Sequence, residues 1–81
     1  VPDYAEAWYA RALVARRDGR FQDSIDAFEQ ALASDPANTD TLLELSNTLL
    51  TLGEFEESDA VRERVRALGG DLPSHTAEEL F

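Results

Sequence analysis

The sequence contains no cysteine, no methionine and no lysine; its seven cations are all arginines, at 11, 16, 17, 20, 62, 64 and 66. Without cysteine there are no disulfides and no thiolate chemistry. Without lysine, Gly69-Gly70 cannot serve as a phosphate-cradling loop, which also needs a wider glycine spacing. One histidine, His75, makes no metal site of familiar spacing, and no cofactor is expected. No apolar run approaches the roughly 20 residues of a membrane span. The first residues carry neither the basic nor the apolar stretch of a signal peptide, so the expected compartment is the cytoplasm. No stretch alternates with period two, so no strand is expected.

Positive charge is scarce. Seventeen acidic residues against seven basic ones give a net charge of −10. That balance argues against non-specific nucleic-acid binding, which needs a basic surface, and against an anionic membrane surface. Two readings of the acid stay open. One is a solvated, self-repelling exterior, including adaptation to salt; the other is preference for a basic partner. At 81 residues the chain is one domain or a piece of one. A chain this small buries only about 60 % of its unfolded surface, and its margin of stability is roughly 3–5 kcal/mol.

Helical periodicity fills most of the remainder. Ala5, Trp8, Ala12 and Ala15 share one face of a first helix, with Tyr9 and Leu13 on a second face. Gly19 suits its end. A second stretch runs through Phe21, Ile25, Phe28, Ala31 and Leu32, and Asp35-Pro36 stops it, because the residue before proline is pushed out of helical geometry. Asn38 and Thr39 are N-cap candidates for a third helix on Leu42, Leu45, Leu49 and Leu52, which Gly53 ends. A fourth carries Phe55, Val61, Val65 and Leu68 up to Gly69-Gly70. In the tail, Thr76 and Glu79 form a capping box that starts something helical.

Shifted by 34 residues, the chain overlays itself: Pro2 falls on Pro36, Gly19 on Gly53, Phe21 on Phe55, Ser24 on Ser58, Glu29 on Glu63 and Ala33 on Ala67. The shared landmarks are turn and packing residues. A helix–turn–helix unit of that period resembles the tetratricopeptide repeat. The first copy supplies Trp8, Ala12 at the family's glycine, Phe28, Ala31 and Pro36; Arg11, Ala15 and Ser24 replace its leucine, tyrosine and alanine. The second supplies Leu42, Leu45, Ser46, Leu49 and Ser58, and departs at Arg62, where an aromatic is usual, and at Gly70, where proline is expected. The resemblance implies an all-α solenoid of two antiparallel hairpins, residues 5–38 and 39–72, with residues 73–81 as a capping tail through Leu72, Leu80 and Phe81. Val1-Pro2-Asp3-Tyr4 then looks like the closing loop of a preceding repeat, and the whole like a fragment of a longer protein.

No catalytic constellation stands out, and no enzyme is expected. Ser24 and Ser58 fall on packing faces, where small residues let helices approach closely. Glu56-Glu57 and Glu78-Glu79 sit near helix N-termini, which favour negative charge. The resemblance implies a concave groove lined by the first helix of each repeat and open to a peptide or a partner helix. By register the groove takes Glu6, Tyr9, Ala10, Leu13, Arg16 and Arg17 from the first helix, and Asp40, Leu43, Glu44, Asn47, Leu50 and Thr51 from the third. The family's chaperone-binding subset clamps a C-terminal carboxylate with Lys, Asn and Arg. Here Tyr9 and Leu13 stand where that clamp begins and Glu44 lies in the groove, so the clamp is not expected. Two functions remain: a protein- or peptide-binding module, or a structural segment of a longer array that self-associates through its exposed ends.

Overall fold

A computed structural model describes residues 4–69, which form four helices: α1 (Tyr4–Arg17), α2 (Phe21–Ser34), α3 (Thr39–Thr51) and α4 (Phe55–Ala67). The described residues contain no strand. Each helix packs on the next, α1 on α2, α2 on α3 and α3 on α4. Short connections make neighbours antiparallel, so the chain is an all-α solenoid of two hairpins. The expected tail, with Leu72, His75, Thr76, Glu79, Leu80 and Phe81, lies outside the described residues, as do Pro2 and Gly70.

The two hairpins turn by one device. At the end of α1 the Gly19 N–H donates to the Arg16 carbonyl at 3.0 Å and the Arg20 N–H to the Ala15 carbonyl at 2.9 Å. Thirty-four residues on, Gly53 donates to Leu50 at 3.0 Å and Glu54 to Leu49 at 2.9 Å. This is the Schellman pattern, which satisfies the last carbonyls of a helix and needs a left-handed residue. Gly19 and Gly53 supply it at φ of 82° and 81°. The α2–α3 turn differs because it lacks glycine. The Asp35 N–H closes α2 on the Ala31 carbonyl, the Asn38 amide donates to the Asp35 carboxylate at 3.2 Å, and the Asn38 side-chain oxygen accepts from the Thr41 N–H at 3.0 Å. Of the two N-cap candidates, Asn38 is the cap and Thr39 the first helical residue.

Within each hairpin the helices cross at small residues. The Ser24 hydroxyl on α2 donates to the Ala12 carbonyl on α1 at 2.8 Å, and the Ser58 hydroxyl on α4 donates to the Ser46 carbonyl on α3 at 3.1 Å. With the Ser58 proton spent there, the 2.7 Å contact between the two hydroxyls takes its proton from Ser46. All three serines and Ala12 are fully buried. Each of these hydrogen bonds contributes about 1 kcal/mol, and the absence of bulk sets how near the axes come.

Burial follows the repeat with an informative difference. On α2 the buried residues are Ser24, Ala27 and Ala31, together with Ile25, Phe28 and Leu32. On α4 only Ser58, Val61 and Val65 are buried, the counterparts of the first three. One face of α2 therefore meets α1 and a second meets α3, joining Leu42, Leu45 and Leu49 in a single core. Phe28 is completely buried and meets the Tyr9 ring edge-on at 5.8 Å between centroids.

Three residues of the expected apolar stripes face outward: Leu52 is 43 % exposed, Phe55 63 % and Leu68 48 %. Leu52 and Leu68 are C-cap residues, past the last regular turn, and Phe55 opens α4 on the side away from α3. Its counterpart Phe21 is half-buried because α3 follows α2. Trp8 is also only half-buried, at the margin of the core, with the Arg11 guanidinium 4.6 Å from its ring centre. Small-against-small contacts thus close the hairpins, and the aromatics flank them.

A Cβ added at Gly19 or Gly53 would meet nothing within 4 Å, so the cost of a side chain there is conformational alone. Gly19→Ala and Gly53→Ala should each destabilise the chain by about 1–2 kcal/mol in urea unfolding, the penalty of a left-handed alanine. Gly→Asn at the same positions should cost less, because asparagine tolerates that region.

Candidate groove on the α1 and α3 faces

The α1 residues off the packing stripe lie beside their counterparts on α3. Tyr9, Leu13 and Leu43 are half-buried and pack on the core from outside. Glu6, Ala10, Arg17, Asp40, Asn47 and Thr51 are exposed, and Leu50 is 39 % exposed. The Thr51 hydroxyl turns back to the Asn47 backbone carbonyl at 3.0 Å, and Asn47 itself is exposed. The surface is therefore a shallow apolar floor with polar groups along its edges.

Arg16 and Glu44 are brought into direct contact. Their side chains form an ion pair at 2.8 Å between α1 and α3, and both are about one-third exposed (28 % and 32 %). The same guanidinium nitrogen reaches the Glu44 carbonyl at 3.4 Å and the Thr48 hydroxyl at 3.3 Å, and the group lies 6.0 Å from the Phe28 ring centre. Thr48 in turn donates to the Glu44 carbonyl at 2.9 Å. Sequence spacing alone offered Arg16 a partner's carboxylate or the α1 dipole; this chain's own Glu44 takes it. A 28-residue separation between two exposed-looking helix positions gave no signal of that pairing.

Arg17 stands exposed in the last turn of α1, where a cation complements the dipole. Glu56 and Glu57 occupy the first turn of α4, the end that favours anions. Burial pushes the Tyr9 phenol above the ordinary tyrosine range; Glu44 and then Asp40 push the same way, and Arg16 opposes them. Tyr9 is thus a protonated hydrogen-bond donor in a negative field. At the mouth of the groove a depression of about 220 Å³ gathers Glu6, Tyr9, Asp35, Asn38 and Asp40.

A larger cleft, of about 470 Å³, opens on the opposite side, between α2 and α4. Its floor includes Ile25, Leu32, Leu45, Leu49 and Val61, and Glu29, Glu57 and Arg64 stand at its rim. The periodicity marks these leucines as core and carries no sign of the cleft, which arises because α3 holds α2 and α4 apart. Among the described residues no cluster of three or more His, Cys, Asp or Glu is placed to hold a metal, and no helix is long and apolar enough to cross a membrane.

A double-mutant cycle on Arg16→Ala and Glu44→Ala should show a coupling of about 0.5–1 kcal/mol in low salt. The coupling should shrink as salt is added. A value of zero at low salt would mean that packing alone joins α1 to α3 on this face.

Residues 5–38 match the family described as Tetratricopeptide repeat. Repeats of this family are in general protein–protein interaction modules, and the family is non-catalytic. No curated protein matches the chain. Residues 5–38 are thus similar to one tetratricopeptide repeat, and four helices packed in consecutive pairs are consistent with that repeat family.

Proposed function

We propose that the chain is a protein-interaction module whose α1–α3 groove takes an extended peptide or a partner helix of neutral to positive charge. The observation that carries this reading is the half-burial of Tyr9, Leu13 and Leu43 on a face with no covering helix among the described residues. Apolar surface in a concave setting gains most from a partner that removes it from water. The partner's sign follows from the groove's own charges. Glu44 neutralises Arg16, and the charges of Glu44 and Asp40, which add to burial in pushing the Tyr9 phenol upward, make the field around Tyr9 negative. Tyr9 as donor and the Asn47 amide as donor and acceptor supply hydrogen bonds to a backbone. Glu44 beside Arg16 also fills the place where a carboxylate would have to enter, so an acidic C-terminus is a poor fit.

A second reading, a structural segment that associates with further repeats or with copies of itself, has one observation in its favour. α1 leaves Ala7 and Val14 exposed, Val14 at 44 %, beside the half-buried Trp8.

The two separate on titration of the labelled chain with short extended peptides of graded charge, beside sedimentation of the free chain. The groove reading expects amide shifts at Tyr9, Leu13, Leu43 and Asn47, with basic peptides binding more tightly than acidic ones and less tightly in high salt. Tyr9→Phe, which keeps the ring on Phe28 and removes only the hydroxyl donor, should weaken binding by about 1 kcal/mol, the size of one hydrogen bond, with helix content unchanged. Shifts confined to α4, or a mass that climbs with concentration while no peptide binds, would replace this reading with the second.

A further inference from the structure

The two glycine turns share a backbone, but the charges around them differ. At the first, the Arg20 guanidinium lies between two carboxylates, 3.8 Å from Asp18 and 3.5 Å from Asp23. Thirty-four residues on, Leu52 stands in place of Asp18, Glu54 in place of Arg20 and Glu57 in place of Asp23. The carboxylate in the first turn of the second helix is kept, and its cation is gone. Arg11, the other arginine on that side of the first hairpin, has become Leu45. Glu54 and Glu57, three residues apart, repel each other, and the N-terminal dipole of α4 offsets part of that repulsion. Neither of these side chains, nor that of Glu29, forms an ion pair or hydrogen bond with another described residue.

These residues stand on one cleft. Leu52, Glu54 and Glu57 line the space of about 470 Å³ between α2 and α4, with Leu45 and Leu49 of α3 on its floor and Glu29 on the α2 wall. Its one guanidinium, Arg64, lies about 10 Å along α4 from Glu57, at 1.5 Å per residue. An apolar floor under a carboxylate rim fits a side chain with an apolar stem and a cationic head. A guanidinium suits it better than an ammonium, because it is planar, less strongly hydrated and able to meet a carboxylate through two N–H groups. We propose that this cleft binds an arginine of a partner protein, its stem over Leu49 and the 43 % exposed Leu52, its guanidinium among Glu29, Glu54 and Glu57. The partner thereby supplies the cation that Arg20 supplies from within the first hairpin. A second copy of the chain is a poor source, because a net charge of −10 makes copies repel each other. The cleft lies on the side of the stack opposite the α1–α3 groove, so the two surfaces are independent.

The test titrates the labelled 81-residue chain with a capped, alanine-rich octapeptide that carries one central Leu-Arg pair. The same peptide is used with lysine, or with citrulline as the neutral isostere, in place of arginine. The arginine peptide should shift the amides of Glu29, Leu49, Leu52 and Glu57; the lysine peptide should bind less tightly, and the citrulline peptide about tenfold less tightly. Glu29→Gln, a change at an exposed mid-helix position, should weaken the arginine peptide about threefold, the weight of one exposed ion pair. Glu54→Arg rebuilds the arrangement of the first hairpin, with the cation now the chain's own. It should weaken the arginine peptide about tenfold, with the urea midpoint unchanged or raised. The proposal is overturned by an absence of shifts at millimolar peptide, or by shifts confined to Tyr9, Leu13, Leu43 and Asn47. Equal affinity for the lysine or citrulline peptide, or for Glu54→Arg and the parent chain, overturns it too. Cleft amides that move with the concentration of the free chain would assign the cleft to a second copy instead. Nuclear Overhauser contacts from residues 70–81 to Leu49 or Leu52 in the free chain would assign it to the chain's own end.

Discussion

The fold depends on how closely two helices approach at a serine. In the first hairpin the Ser24 hydroxyl rests on the Ala12 carbonyl; in the second the Ser58 hydroxyl rests on the Ser46 carbonyl, over the same sequence separation of 12. A hydroxyl at this point does two things. It occupies little more space than a methyl group, so the backbones close up, and it finds a carbonyl to donate to, so no buried side-chain polar atom among the described residues is left unsatisfied. The carbonyl it meets is already bonded within its helix and accepts through its second lone pair. Close approach at this crossing carries Phe28, one turn further along α2, down to complete burial against Tyr9.

From that spacing the surfaces follow. α2 is buried on two faces and α4 on one, because α2 lies between α1 and α3 whereas α4 has only α3 beside it among the described residues. The α1 and α3 faces left over on one side form the groove, and the Arg16–Glu44 pair fixes their relative height at its centre. The same pair removes the groove's most central cation from availability and leaves its field negative around Tyr9.

Much of this was legible in the sequence. Four helices, the two glycine turns, the Asp35-Pro36 stop and the packing role of Ser24 and Ser58 all follow from periodicity, backbone preference and the 34-residue overlay. These are local or repeated signals. What the overlay could not show is where two unlike environments stand behind identical letters. Phe21 and Phe55 are the same residue at the same repeat position, and among the described residues only the first has a following helix beside it. Trp8 reads as a core anchor but lies half-buried at the margin under Arg11, a difference the repeat pattern does not signal. The Arg16–Glu44 pair joins residues on different hairpins, a distance over which composition and period carry no information. The groove residues were placed by family register, and the structure adds their burial and mutual contacts.

Replacing the crossing serines with leucine is the most direct test of the account. Ser24→Leu and Ser58→Leu insert bulk at the point of closest approach, where the account predicts a loss of about 1–3 kcal/mol each in urea unfolding. That is a large part of a margin of roughly 3–5 kcal/mol, so either variant should unfold early or lose its cooperative transition. Midpoints and slopes equal to those of the parent chain would show that the hairpins are not held by close approach at these two positions.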